Sequence, residues 1–393
     1  MNRRIAGVAS SVAACGLLAT ACGGSSTSPP ASTGPSSIGK GEGALNIIVW
    51  AGYAESGATD PKANWVGPFE QQTGCKTNAK IAGTSDEMVS LMQTGQYDGV
   101  SASGNATLRL MVGGSAAPVN VNLIDNYKDI NPALKDQPYN TYKGIHYGIP
   151  HGWGANLLMW RTDIVTPAPT SWGAVFDANS PYKGKVTAYD DPIYIADAAL
   201  YLRATQPDLK ITDPYELDAK QFGAAVALLK TQRALIGQYW SDYTKTQAAF
   251  ANGDTVLGTT WQVITNLLLF DAHPTPVKAI IPKEGSTGWS DTWMVSAHAA
   301  HPNCMYMWMN YITSSNVQAQ VASWYGEAPA NPKACAIIAT SDASFCETYH
   351  VTDNAFLKGL ALWKVPLKDC GDSRGSVCTG YQDWLNAWTD IKG

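Results

Sequence analysis

The sequence predicts an α/β fold in two lobes, with mostly parallel sheets and with strands that cross between the lobes. Three observations lead there. Residues 46–103 alternate short β-rich runs with helical ones, the order that builds parallel sheets. The roughly 350 residues beyond Gly43 exceed the size at which a single core usually keeps growing. No second linker rich in Pro, Gly or Ser divides those residues, so the lobes are expected to share strands.

The elements follow in order. Asn46–Trp50 is a short β-rich run and reads as the first buried strand. Asp60–Pro61 opens a helix through Phe69 that Gly74 stops. Cys75–Ala82 reads as the second strand. Thr84–Glu87 opens a helix carrying Met88, Leu91 and Met92, with Ser85 or Asp86 as its cap. Tyr97–Val100 is the third strand, running out at Ser101 and Ser103. Further on, Ala219–Leu235 is helical, with Phe222, Val226 and Leu229 on one face. Thr255–Trp261 is a strand feeding a helix, Tyr306–Ile312 is an apolar helix, and Asp383–Ile391 is the last helix.

The N-terminus sets the compartment. Arg3 and Arg4 precede an uncharged, mostly apolar or small-residue stretch from Ile5 to Ala21, the layout of a secretory signal. That stretch is too short and too poor in large aliphatics for a spanning helix. Leu18-Ala19-Thr20-Ala21-Cys22 resembles a bacterial lipoprotein processing site, so residues 1–22 read as a signal peptide ending at a lipidated Cys22. Val12–Cys15 fits the short pattern too, but leaves too little apolar chain ahead of it. Residues 23–43 are Ser, Pro, Gly and Thr with few large apolar side chains and read as a flexible tether.

Charge and cysteine usage narrow the functions. The chain carries 27 Lys and Arg against 32 Asp and Glu, without a basic run or stripe, which argues against nucleic acid as a partner. Beyond Cys15 and Cys22, the remaining cysteines are Cys75, Cys304, Cys335, Cys346, Cys370 and Cys378, an even set that suggests disulfides in an oxidising compartment. Many pairings are open to them; short separations favour Cys335–Cys346 and Cys370–Cys378, leaving Cys75–Cys304. A metal site is not expected, because no CxxC occurs and no histidine falls at ligand spacing. No cofactor is implied. An enzyme is not expected either: GxSxG is absent, His146 and His151 lack the zinc-protease spacing, and His298 and His301 have no obvious partner. There is no P-loop.

Four stretches, taken in order, carry a resemblance. They are Val49-Trp50-Ala51-Gly52-Tyr53; Tyr147-Gly148-Ile149-Pro150-His151-Gly152-Trp153-Gly154; Ile281-Pro282-Lys283-Glu284-Gly285 followed by Trp289-Ser290-Asp291; and Gly326-Glu327-Ala328-Pro329-Ala330-Asn331-Pro332. Together they resemble the spermidine/putrescine-binding proteins of bacterial ABC importers, over roughly Leu45 to Lys364. The resemblance implies a type II periplasmic-binding-protein-like fold. Lobe one would take 45–152 and 290–338, lobe two 153–289 and 339–393. It further implies a monomer held at the outer face of the cytoplasmic membrane by its lipid, delivering a small amine to permease subunits.

The matching positions suit that ligand. A buried amine needs a charged acceptor, and aromatic faces add attraction to a desolvated cation. The resemblance places Trp50 and Tyr53 in lobe one, Trp261 over the ligand from lobe two, Trp289 and Asp291 near the crossing, and Asp191 as a second carboxylate. Ser103 and Asn105 match a polar loop of the cleft. Two positions depart from the family pattern. Tyr194 stands where the family has a glutamate, and Lys364 falls near a glutamine that holds a terminal amine. If Lys364 faced the ligand, it would favour a zwitterionic amine or ω-amino acid. A sugar is the rival, since sugar-binding importers share the fold and also use Trp platforms.

Overall fold

The computed structural model describes residues 34–58 and 60–393. The signal segment with Cys22, and the tether up to residue 33, lie outside the described residues.

The apolar β-rich runs pair into two mixed sheets. The first has the order Ala328–Pro329, Gly148–Ala155, Thr287–Val295, Gly99–Ser103, Ala44–Val49, Lys76–Ile81, with Ala361–Leu362 beside the start of Thr287–Val295. The second runs Val277–Ile280, Leu157–Arg161, Leu257–Thr260, Val186–Tyr189, Ile236–Trp240. Strands joined by helices are parallel, as such crossovers require: 76–81, 44–49 and 99–103 in the first sheet, and 257–260, 186–189 and 236–240 in the second. The strands that carry the chain between sheets pair antiparallel with their neighbours, except that Thr287–Val295 also pairs parallel with Ala361–Leu362.

The chain crosses from Gly148–Ala155 into Leu157–Arg161 and returns from Val277–Ile280 into Thr287–Val295. Asn156 ties the two crossings together. Its backbone N–H donates to the Thr287 carbonyl at 3.0 Å, and its Nδ2 to Thr287 Oγ1 at 2.7 Å. Thr287 Oγ1 in turn donates to the buried Asp197 at 2.8 Å.

Each sheet has its own core. Leu45, Ile47, Phe69, Trp293 and Trp308 fill one face of the first sheet, and Ile48, Met88, Val100 and Met294 the other. The second sheet is packed by Trp160, Trp172, Leu200, Leu229 and Trp384 among others. Phe345, Tyr349 and Leu357 pack with Ile130, Leu134 and Trp153, on the first sheet's side. The final helix, Tyr381–Lys392, packs on the second sheet's core through Trp384, Trp388 and Ile391. Three disulfides, Cys75–Cys304, Cys335–Cys346 and Cys370–Cys378, close the chain.

Three local expectations change. The first helix begins at Val66, not near Asp60, because Asp60 holds a turn through Lys62 N–H and Asn64 accepts from Gly67 N–H at the true start. The second helix, Ser85–Gln93, is capped by Thr84, whose Oγ1 accepts from Glu87 N–H at 3.1 Å. Ser85 and Asp86 are engaged elsewhere, with Asn105 and with Arg109. The free tether does not extend through 34–43. Glu42 accepts from the backbone N–H groups of Asn303 and Cys304 in the first turn of helix Pro302–Ile312, where helix-terminal N–H groups lack partners. Gly39 N–H donates to Asn303 Oδ1, and Ile38 packs on the core.

Candidate functional site

In open α/β sheets, ligands bind beyond the carboxyl ends of parallel strands. Here such ends from both sheets converge. Trp50 follows Ala44–Val49 and Ser103 closes Gly99–Ser103. Tyr189 closes Val186–Tyr189, Asp242 and Tyr243 follow Ile236–Trp240, and Trp261 follows Leu257–Thr260. With Trp289 and Asp291 of the crossing strand, Tyr325 and Trp363, they line a cavity of about 350 Å³. Among the described residues, no lysine, arginine or histidine is in its wall.

The wall is an aromatic box. Trp261 meets Trp289 edge-on at 5.9 Å, Trp289 meets Tyr325 at 6.4 Å, and Tyr189 stacks on Trp363 at 5.3 Å. Trp261 is oriented by Asn156, whose Oδ1 accepts from its Nε1–H at 2.9 Å, so this side chain is fixed by the crossing itself. Trp289 lies over Gly154, where a Cβ would come within 2.7 Å of its ring.

Asp291 is the buried carboxylate in the wall, with 2 % of its surface exposed. Ser103 Oγ donates to Oδ1 and Tyr53 Oη donates to Oδ2 at 2.6 Å. Burial pushes its pKa up to about 6, while these hydrogen bonds and the Trp50 indole favour the charged form. The same Tyr53 oxygen lies 2.7 Å from Glu327 Oε2. Glu327 is fully buried, and burial holds its carboxyl well above the usual range.

Of the sequence-expected residues, Trp50, Ser103, Trp261, Trp289 and Asp291 line the cavity together. Tyr53 stands one layer behind, against Asp291. Asn105 is behind as well: Ser85 Oγ donates to its Oδ1 at 2.9 Å, and its Nδ2 faces both Asp191 oxygens at 3.4 Å. Asp191 does not reach the wall. It caps the turn Pro192–Tyr194 by accepting from Ile193 N–H at 2.9 Å, and burial pushes its pKa up to about 7.

Two expectations are corrected. Tyr194 is in the core of the second sheet, packed with Phe176 and Trp388, its hydroxyl accepting from Gln232 Nε2 at 2.9 Å. Lys364 turns away from the cavity and pairs with Asp213 at 2.8 Å and with Glu216. Tyr189, Tyr243, Tyr325, Trp363 and Glu327 were not singled out in the sequence. Tyr325 and Glu327 flank Gly326, which opens one of the four recognised stretches. Trp363 adjoins Lys364.

Among the described residues, no group of three or more His, Cys, Asp or Glu is placed to hold a metal, and no helix is long and apolar enough to cross a membrane.

Comparison with known proteins agrees with this architecture. The spermidine/putrescine-binding periplasmic protein of Escherichia coli K12 is 26% identical over 298 residues, 72% of this chain and 81% of its own. The TpPotD lipoprotein of Treponema pallidum superposes with a TM-score of 0.69 at 15% identity, over 89% of this chain and 99% of its own. MotA of A. tumefaciens B6, solved with glucopine, gives 0.68 at 16% identity, over 89% and 99%. These likenesses give the type II two-lobe fold with its lobes joined by crossing strands. The sequence profile of bacterial extracellular solute-binding proteins matches residues 64–344, most of the chain, and the chain therefore belongs to that family, whose members bind solutes for ABC importers.

Proposed function

We propose that this protein captures a small cationic amine outside the cell, a polyamine such as putrescine or spermidine, and hands it to the permease of its importer. The observation that carries this reading is the buried Asp291 in an aromatic wall that, among the described residues, holds no cationic side chain. A desolvated ammonium would pair with that carboxylate and lie against the indole faces, each worth about 1–2 kcal/mol. The relatives named for spermidine and putrescine support it.

The moving bodies would be the two sheets with their helices, 345–360 travelling with lobe one. Closure would turn them about the two crossings tied by Asn156. We extend the proposal to a monomer anchored by Cys22 at the outer face of the membrane, on the strength of the N-terminal sequence.

A second reading rests on Trp289 and Trp363, whose indole N–H groups are buried and find no acceptor among the described residues. A ligand with oxygen atoms beside its cation, such as an ω-amino acid, would give them one. Titration calorimetry of the chain starting after Cys22 separates these readings. Putrescine or spermidine binding supports the first, γ-aminobutyrate or glycine betaine alone the second. Maltose alone would make the indoles a sugar platform and overturn both.

A further inference from the structure

Beneath the cavity lies a hydrogen-bond row with one more acceptor than its hydrogens can serve as ordinarily drawn. Tyr53 Oη is 2.6 Å from Asp291 Oδ2 and 2.7 Å from Glu327 Oε2. A phenol has one hydrogen, so it can donate to only one of them. The other short contact needs a hydrogen from a carboxylic acid. Among the described residues, no lysine or arginine acts on either carboxyl group.

The surroundings favour Glu327 as its place, because Asp291 accepts from Ser103 on its other oxygen and lines the cavity where a cation can reach it, whereas Glu327 is buried away from that wall. Gln318 Nε2 donates to His151 Nδ1 at 3.0 Å, and its own orientation is fixed by Ile312 O and Asn331 N–H. Nδ1 of His151 therefore accepts, the ring is neutral, and its hydrogen is on Nε2, which lies 3.4 Å from Glu327 Oε1 without making a hydrogen bond. Burial holds the imidazole neutral by pushing its pKa down to about 3. At the other end, Ser103 donates to Asp291. A row with its hydrogens pointing one way results: Glu327 Oε2 toward Tyr53, and Tyr53 and Ser103 toward Asp291. The remaining titratable side chains around Glu327 are Tyr325 and Tyr349, with His350 across the small cavity it borders.

Local structure holds Glu327 in place. Gly326 takes a left-handed φ of 81° at the end of helix Ser315–Tyr325, which turns Tyr325 to the cavity and the Glu327 carboxyl onto Gly152. A Cβ at Gly152 would overlap that carboxyl.

We propose that Glu327 is a neutral carboxylic acid that, through Tyr53, leaves Asp291 as the one buried charge facing the ligand, so that the box takes a ligand with a single buried cationic head. A second ammonium would stay at the rim, where exposed Asp242 is already capping its helix. This deepens, and rests on, the reading of the cavity as an amine site.

The first test needs no ligand. The infrared spectrum of the wild-type chain at pH 7.5 should show a protonated carboxyl carbonyl band that Glu327→Gln lacks; its absence from the wild type overturns the proposal. The second uses calorimetry. Glu327→Gln, which keeps a neutral donor and acceptor, should bind putrescine within about threefold of wild type, and a tenfold loss overturns it. Butylamine and putrescine should differ by no more than about fivefold, the range of an exposed ion pair; a hundredfold advantage for the diamine would mean two buried charges. If wild type binds no amine, the amine reading fails, and the infrared result still decides the state of Glu327.

Discussion

Asp291→Asn should move stability and affinity in opposite directions. Asparagine has the same shape and can keep a contact with both Ser103 and Tyr53. Burial raises the Asp291 carboxyl to about 6 in the folded chain, which costs about 3 kcal/mol of stability once it is charged. A carboxyl raised by folding binds its proton more tightly in the folded state. Its cost is absent below about pH 4, grows as pH climbs through 6, and is complete above. The variant should therefore melt higher than wild type at pH 8 and level with it near pH 4. Affinity goes the other way, because a desolvated cation loses its buried partner, typically 2–5 kcal/mol. That is roughly thirtyfold to a few thousandfold at 1.4 kcal/mol per decade. Melting curves at both pH values and titration with putrescine read the two effects. A lower melting temperature at pH 8, or affinity retained within threefold, would refute the reasoning.

Three further outcomes follow from the same geometry. Wild-type affinity for the amine should fall about tenfold between pH 7.5 and pH 5, following ionisation of a group near 6, and a flat profile would detach Asp291 from the ligand. Trp261→Leu should weaken binding about tenfold through the lost cation–π face, measured by calorimetry. Lys364→Gln should leave the ranking of ligands unchanged and lower stability by up to about 1 kcal/mol, since its partners Asp213 and Glu216 are partly exposed; a reordered ranking would return Lys364 to the site.

The lining indoles Trp50 and Trp289 were legible because they sit inside stretches whose order is recognisable, and Trp261 because it ends an expected strand at a position the resemblance matched. Others were lost to geometry that spacing alone does not carry. Lys364 was one residue off: in extended chain after Ala361–Leu362, neighbours point to opposite sides, so Trp363 faces the cavity while Lys364 faces its acids. Tyr194 ends a 3₁₀ turn capped by Asp191, which carries its ring into the core of the second sheet. Glu327 lay within a recognised stretch, but its role depends on Gly152 and His151, far away in sequence. The strand–helix alternation over residues 46–103 marked the parallel half of the first sheet in advance, whereas of the second sheet's parallel strands only Thr255–Trp261 was expected. The antiparallel crossing strands carry no such signature, because their partners come from both ends of the chain.

Four of the fourteen tryptophans, Trp50, Trp261, Trp289 and Trp363, share one cavity wall. Indole fluorescence depends strongly on nearby water and charge, so displacing solvent from that wall changes a sizeable part of the whole emission. The protein thus carries its own optical reporter, and ligand entry can be timed by stopped flow on the unlabelled chain.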